Sequence, residues 1–329
     1  MRYKKIGNSD LTLSAVTFGA WAAGGWMWGG SEPKAAVEAM RASIDAGMTS
    51  IDTAPAYGQG LSEELVGEAI KGIPRDKVQI LTKYGLRWEM NKGEFFFTSN
   101  DNTGRSIDMY RYAGKKSVIE ECENSLRRLK TEYIDLYQIH WPDPTTPVEE
   151  TMEAVSRLIE QGKVRFAGVS NYTPELMAQA EQVVPVISNQ VPYSMLRKEI
   201  EKDLIPYCMK RSKGILAYSP LQRGVLTGKF SSDHRYNDGD TRMNEKFYSP
   251  ENIMRVNAFL GMINPIAENK NISITQLVIC WTLQQPGISA VLVGARNKEQ
   301  ALHNAKAIET ELSAEDIAFI NTKIDEIGL

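Results

Sequence analysis

Cysteine and histidine are both scarce in this 329-residue chain, at three each. Cys122, Cys208 and Cys280 are scattered, odd in number and in no Cys-x-x-Cys arrangement. That excludes a disulfide framework or a structural zinc and suits a reducing cytosol. The histidines, His140, His234 and His303, are too sparse for the ligand set of a metal-dependent barrel hydrolase, so no metal is expected. No apolar run approaches the length of a membrane span. The basic segment Met1 to Gly7 leads into no apolar signal core, so a cytoplasmic protein is expected. Surplus positive charge is missing too: the net charge is −3, which gives no footing for nucleic acid or an anionic membrane. Repeats, linkers and low-complexity tracts are absent, so residues 1–329 are expected to form one domain.

What remains is an ordinary globular composition, 42% hydrophobic and 24% charged, with a regular alternation of elements. Tyr3 to Ile6 and Leu11 to Leu13 flank a polar turn and form a β-hairpin. Strands then follow at Ala15–Phe18, Ser50–Asp52, Val78–Thr82, Ile134–Ile139, Val164–Val169, Val186–Gln190, Gly214–Tyr218 and Ala290–Gly294. Helical periodicity separates them, from Pro33–Ala46 and Ser62–Ile70, with Ser62 as N-cap, through Glu199–Arg211 to Ala314–Ile327. Residues 88–114 form a polar and aromatic excursion, read as a loop. Eight strands separated by helices imply parallel strands with right-handed crossovers, and eight units at this length match a closed (β/α)8 TIM barrel. The hairpin is expected to close its bottom, with extra helices at the C-terminus. The runner-up, an open doubly wound sheet, would show a Gly-rich phosphate turn after its first strand, and none is present.

On such a barrel the working face is the C-terminal end of the strands. Asp52 ends the second strand, Tyr57 lies in its loop, Lys83 ends the third strand and His140 follows the fourth. A free phenol has a pKa of about 10 and is a poor proton donor near neutrality. A nearby ammonium would lower it, a carboxylate would hold that ammonium charged, and an imidazole would donate to a carbonyl oxygen. The alternatives are a structural Asp52–Lys83 ion pair at the rim and a packed, hydrogen-bonded His140. Trp21, Trp26 and Trp28 crowd the loop after the first strand, as a pocket wall or an aromatic plug. Trp88, Trp141 and the long segments Glu89 to Gly114 and Gln222 to Ser249 are further candidates for the substrate pocket.

These residues carry a resemblance. The chain is similar to the NADP-dependent aldo-keto reductases, in the superfamily that also contains the voltage-gated potassium-channel β subunits. Asp-Thr-Ala-x-x-Tyr-Gly (Asp52 to Gly58), Lys83 and Tyr-Gln-Ile-His-Trp-Pro-Asp (Tyr137 to Asp143) match the family's Asp, Tyr, Lys, His tetrad in order and spacing. Gly168 to Asn171, Gln190, Tyr218 to Gly224 and Val293 to Arg296 match its cofactor segments. The resemblance implies that Ser170, Asn171 and Gln190 hold the nicotinamide carboxamide and that Tyr218 stacks on the ring, with Trp21 beside it. Ser219, Pro220, Leu221, Arg223, Gly224, Lys229 and Arg242 would line the pyrophosphate. Gly294, Arg296, Gln300 and Asn304 would surround the adenosine and its 2′-phosphate. A forked guanidinium suits a phosphate dianion where a carboxylate would suit a free 2′-hydroxyl, so NADP(H) is expected.

The implied activity is reversible NADPH-dependent reduction of small-molecule aldehydes and ketones, with Tyr57 as general acid. The alternative is a cofactor-binding, redox-sensing module like a channel β subunit, although no partner-binding helix is evident in the pattern. The family's C-terminal substrate loop is short here, which favours small aldehydes, ketoses or sugar-derived carbonyls. Phe95-Phe96-Phe97 forms either a mobile apolar lid or loop packing. Tyr112-Ala-Gly-Lys-Lys116 has the Tyr-x-x-x-Lys spacing of short-chain dehydrogenases but lies in a polar loop, and Gly224 to Lys229 falls one residue short of a phosphate loop.

Overall fold

A computed structural model describes residues 2–328. Strands β1 (Tyr3–Lys5) and β2 (Thr12–Ser14) pair antiparallel as the hairpin. Eight strands close the barrel: β3 (Val16–Gly19), β4 (Ser50–Asp52), β5 (Gln79–Tyr84), β9 (Ile134–Ile139), β10 (Val164–Ser170), β11 (Val186–Pro192), β12 (Gly214–Tyr218) and β13 (Ile288–Val293). Every neighbouring pair is parallel, and β13 returns to β3. Around it lie α1 (Pro33–Asp45), α2 (Leu61–Ala69), α3 (Lys115–Leu129), α4 (Val148–Glu160), α5 (Pro174–Ala180), α6 (Leu204–Lys210), α7 (Pro250–Asn269), α8 (Ile274–Gln284), α9 (Lys298–Ala305) and α10 (Ala314–Ile327). This is the expected (β/α)8 barrel. Among the described residues, no helix is long and apolar enough to cross a membrane.

The barrel interior grades from oil to polar chemistry along its axis. Side chains two apart share a strand face, so β9 presents Leu136, Gln138 and His140 in rising order, and β5 presents Leu81 and then Lys83. The lower layer, Leu81, Leu136, Leu216 and Ala290, packs against Ile6, Leu11 and Leu13 of the hairpin, all essentially buried. The hairpin turns at Gly7 with φ +59°, and a Cβ there would stand 2.7 Å from the Ser212 carbonyl and 2.8 Å from that of Ile187. Only glycine lets the turn sit this close under the barrel. Higher up, a Cβ on Gly168 would meet the Ser188 hydroxyl at 2.9 Å and Gln138 at 3.0 Å, so that glycine leaves room for Gln138 inside the barrel.

Two local readings change. Ser62 is not an N-cap: α2 begins after Gly60 in a left-handed conformation, and the fully buried Ser62 hydroxyl instead bonds Thr53 Oγ1 and the Ala20 carbonyl at 2.8 Å each. It ties the helix to the loops above β3 and β4. The excursion after β5 is no simple loop. Strands β6 (Leu86–Arg87), β7 (Glu94–Asn100) and β8 (Ser106–Arg111) form a separate antiparallel sheet in the order β6-β8-β7. In β7 the register slips between Phe95 and Phe97, so Phe96 is the extra residue of a β-bulge.

Candidate active site

Asp52, Tyr57, Lys83 and His140 come together at the C-terminal mouth of the barrel. Lys83 Nζ lies 2.7 Å from Asp52 Oδ1 and 2.9 Å from the Thr53 carbonyl, with both side chains almost fully buried. The other carboxylate oxygen accepts Gln190 Nε2 at 2.7 Å and Gln138 Nε2 at 3.4 Å. Asp52 is thus held by donors from three other strands, on opposite sides of the barrel. A buried pair stripped of one partner is strongly destabilised, so these donors matter to its ionisation. Burial pushes Asp52 up and Lys83 down, and their mutual attraction opposes both shifts.

Lys83 Nζ sits 4.9 Å from the Tyr57 ring centroid, and Tyr57 meets His140 edge to face at 5.6 Å. Trp21 stacks on Tyr57 at 5.9 Å, with the planes 25° apart. Here the electrostatics depart from expectation. Burial, with Asp52's negative charge adding to it, holds the Tyr57 hydroxyl well above the ordinary phenol value of 10.0. In the free protein Tyr57 keeps its proton. Burial, reinforced by Lys83, also drives His140 well below 6.5, leaving a neutral imidazole.

Asp52, Tyr57 and His140 floor a cavity of about 570 Å³, within the usual range for a small-ligand site. Every cofactor residue named from sequence lines it: Trp21, Ser170, Asn171, Gln190, Tyr218, Ser219, Pro220, Leu221, Arg223, Gly224, Lys229, Arg242, Gly294, Arg296, Gln300 and Asn304. Trp26, Trp28 and Trp141 line it as well, whereas Trp88 packs behind the wall in the cluster around Trp26 and Leu86. Lys83 lies beneath the floor.

Local conformation builds the polar end. Asn171 adopts φ +60°, which lets its Nδ2 reach the His140 carbonyl at 3.0 Å while its Oδ1 accepts the Tyr218 hydroxyl at 3.0 Å. Asparagine tolerates this region better than most residues. After β12 the backbone runs through positive φ at Ser219, Gln222, Arg223 and Gly224. That turn sends Arg223 across the cavity to the Met27 carbonyl (2.8 Å), to Thr241 Oγ1 (3.1 Å) and to Glu245. Arg296 Nη2 reaches the Trp28 carbonyl at 3.0 Å. Arg223, Arg242 and Arg296 all lie within 5.6 Å of the Trp28 ring centre. The indole N–H groups of Trp21 and Trp28 and Nε of Arg223 are buried with no acceptor. Such donors normally have partners, and anionic oxygens would supply them. Asp52 is the one carboxylate among the lining side chains, against Arg223, Lys229, Arg242 and Arg296. Asn297 caps α9 through the Gln300 N–H at 2.9 Å, directing the helix N-terminus to the same region. The donor set fits a phosphorylated nucleotide.

Phe96 and Phe97 of the 89–114 segment and Phe230 and His234 of the 222–249 loop line the cavity too, as the sequence reading of those two segments expects. Sequence reasoning missed Met27, Leu86, Thr275 and His303, which also line it. His303 was within reach, because Gln300, His303 and Asn304 share a helix face by spacing.

The model of the aldo/keto reductase family matches residues 15–325. The chain belongs to that family. An aldo-keto reductase of Bacillus subtilis is 38% identical, over 99% of this chain and 94% of the relative. A protein of Escherichia coli named as an NADH-specific methylglyoxal reductase is 33% identical, over 96% of each chain. Among solved structures, a glycerol dehydrogenase from Gluconobacter oxydans superposes with a TM-score of 0.86 at 35% identity, covering 99% of this chain and 94% of that one. This aldo/keto reductase is accordingly an oxidoreductase of carbonyl groups, built on the barrel its relatives share.

Proposed function

We propose that this aldo/keto reductase reduces aldehydes and ketones reversibly with NADPH, Tyr57 acting as the general acid. A bound dihydronicotinamide would supply the hydride. Asn171 and Gln190 would hold its carboxamide and Tyr218 its ring. Gln190 spends its Nε2 on Asp52, which leaves its Oε1 to accept from an amide. The neutral His140 would donate one N–H to the substrate oxygen, with no proton of its own to lose near neutrality. Tyr57 would give its proton to that oxygen only as negative charge builds there, drawing on Lys83 below its ring. The observation that carries the reading is the wholly buried Asp52–Lys83 pair under Tyr57 and His140, on the floor of a cavity whose other end is ringed by cations. Preference for NADP(H) rests on Arg296 with Arg242 near it. A relative is named as NADH-specific, so the two cofactors are compared directly.

The test is NADPH and NADH oxidation across a panel of aldehydes and ketones. Tyr57→Phe should lower kcat by about 10²–10⁴-fold while NADPH still binds. Turnover that survives Tyr57→Phe would end the acid assignment. Tight NADPH binding without turnover on any carbonyl would leave a binding module.

A further inference from the structure

We infer that the substrate's organic group is flat, uncharged and apolar, as in an aromatic aldehyde, and that it docks on Phe96 and Phe97 of the small antiparallel sheet. This deepens the carbonyl-reductase reading and rests on it. The cavity runs past Tyr57 and His140 to a wall made by Trp26, Leu86, Phe96, Phe97 and Trp141. In an unbroken strand, consecutive side chains point to opposite faces, so two adjacent phenylalanines could not both reach one cavity. The bulge at Phe96 removes that constraint. Phe95 stays outside, 53% exposed, while Phe96 and Phe97 both turn inward.

The rings are fixed by their neighbours. Phe97 lies parallel to Trp26 at 6.1 Å with planes 12° apart, and Phe96 contacts Trp141 at 5.3 Å. The Arg111 guanidinium lies 4.7 Å from the Phe96 ring centre, bracing it. The Trp26 N–H is already spent on Ser99 Oγ at 3.1 Å, so it offers no donor to a substrate hydroxyl. No charged side chain lines this wall. Apart from the Trp141 indole N–H, these side chains offer no hydrogen bonds to replace the water that a polyol or a charged aldehyde would shed, whereas a ring would stack.

The experiment measures kcat/KM with NADPH for benzaldehyde, cyclohexanecarbaldehyde, propanal and glyceraldehyde. It compares wild type, Phe97→Ala and Phe97→Leu, the last keeping apolar bulk without a flat ring. Burial of a phenyl group should favour benzaldehyde over glyceraldehyde by about a hundredfold. Stacking should favour it over cyclohexanecarbaldehyde by about fivefold. The benzaldehyde-to-propanal ratio should fall about tenfold in Phe97→Ala. Phe97→Leu should erase the benzaldehyde-to-cyclohexanecarbaldehyde preference. Glyceraldehyde matching benzaldehyde in wild type, or variants that slow every aldehyde alike, would overturn the inference. If no aldehyde is reduced, the carbonyl-reductase reading itself fails, and calorimetry with benzamide on the NADPH-loaded protein still decides the site. Benzamide bound by wild type and lost in Phe97→Ala sustains the platform, and no binding by wild type removes it.

Discussion

One cavity has two ends made by different means. The cationic end, proposed to hold the nucleotide, is assembled from barrel loops in unusual backbone conformations: positive φ at Asn171, Ser219, Gln222 and Arg223 aims polar and cationic groups inward. The aromatic end is borrowed from a small sheet outside the barrel, and one β-bulge there does the aiming. The first end commits charge to a ligand of fixed chemistry. The second commits only shape and oil. Between them lie the buried Asp52–Lys83 pair and the two rings above it, which carry the proposed chemistry.

Changes at that shared middle should be the most damaging. Lys83→Met leaves Asp52 buried without its cation and should cost about 3–5 kcal/mol of stability, measured by urea unfolding, together with turnover. Adding Asp52→Asn should restore much of the stability and none of the rate. Recovered turnover in the double variant would show that the pair is structural only. At the nucleotide end, Arg296→Ala should weaken NADPH binding by about 10–100-fold, read by fluorescence titration, with NADH much less affected. Equal losses for both cofactors would remove Arg296 from the 2′-phosphate.

The neutral state of His140 gives a prediction about pH. Its folded pKa lies well below the ordinary 6.5, so kcat/KM for an uncharged aldehyde should show no histidine limb between pH 8 and 6. The unfolded chain takes up a proton there that the folded chain refuses, so this group costs stability as pH falls through 6.5. A limb near 6.5 that vanishes in His140→Asn would contradict the neutral imidazole. The smallest effect is expected from Gln138→Met, which removes the long 3.4 Å donor to Asp52. It should lower kcat by about two- to fivefold and leave KM in place.

The barrel was legible because its signal is repeated eight times, and strand-end position then located Asp52, Lys83 and His140 without any knowledge of their contacts. That the proposed cofactor loops share one cavity was expected from the family's motifs rather than from local physics, since nothing in Leu221-Gln222-Arg223 announces a left-handed turn. Trp26, Trp141 and the Phe95–Phe97 run were legible as pocket candidates, but the sheet that carries the phenylalanines was not. Glu94 to Asn100 breaks the period of two at its bulge, so it carries neither a strand's nor a helix's pattern. The expected lowering of the Tyr57 pKa by Lys83 also did not follow from proximity, because burial and the Asp52 charge outweigh the cation in the free protein.

None of the three small strands pairs with a barrel strand. Residues 86–111 leave the barrel after β5 and return at α3, carrying their own ladder with them. Arg87 is the segment's anchor, paired with the buried Glu121 of α3, which also accepts the Gly85 N–H after β5. Beyond that anchor the segment is a cartridge: residues 88–111, exchanged for another hairpin of similar span, would re-dress the cavity wall and leave the barrel's strand registers intact.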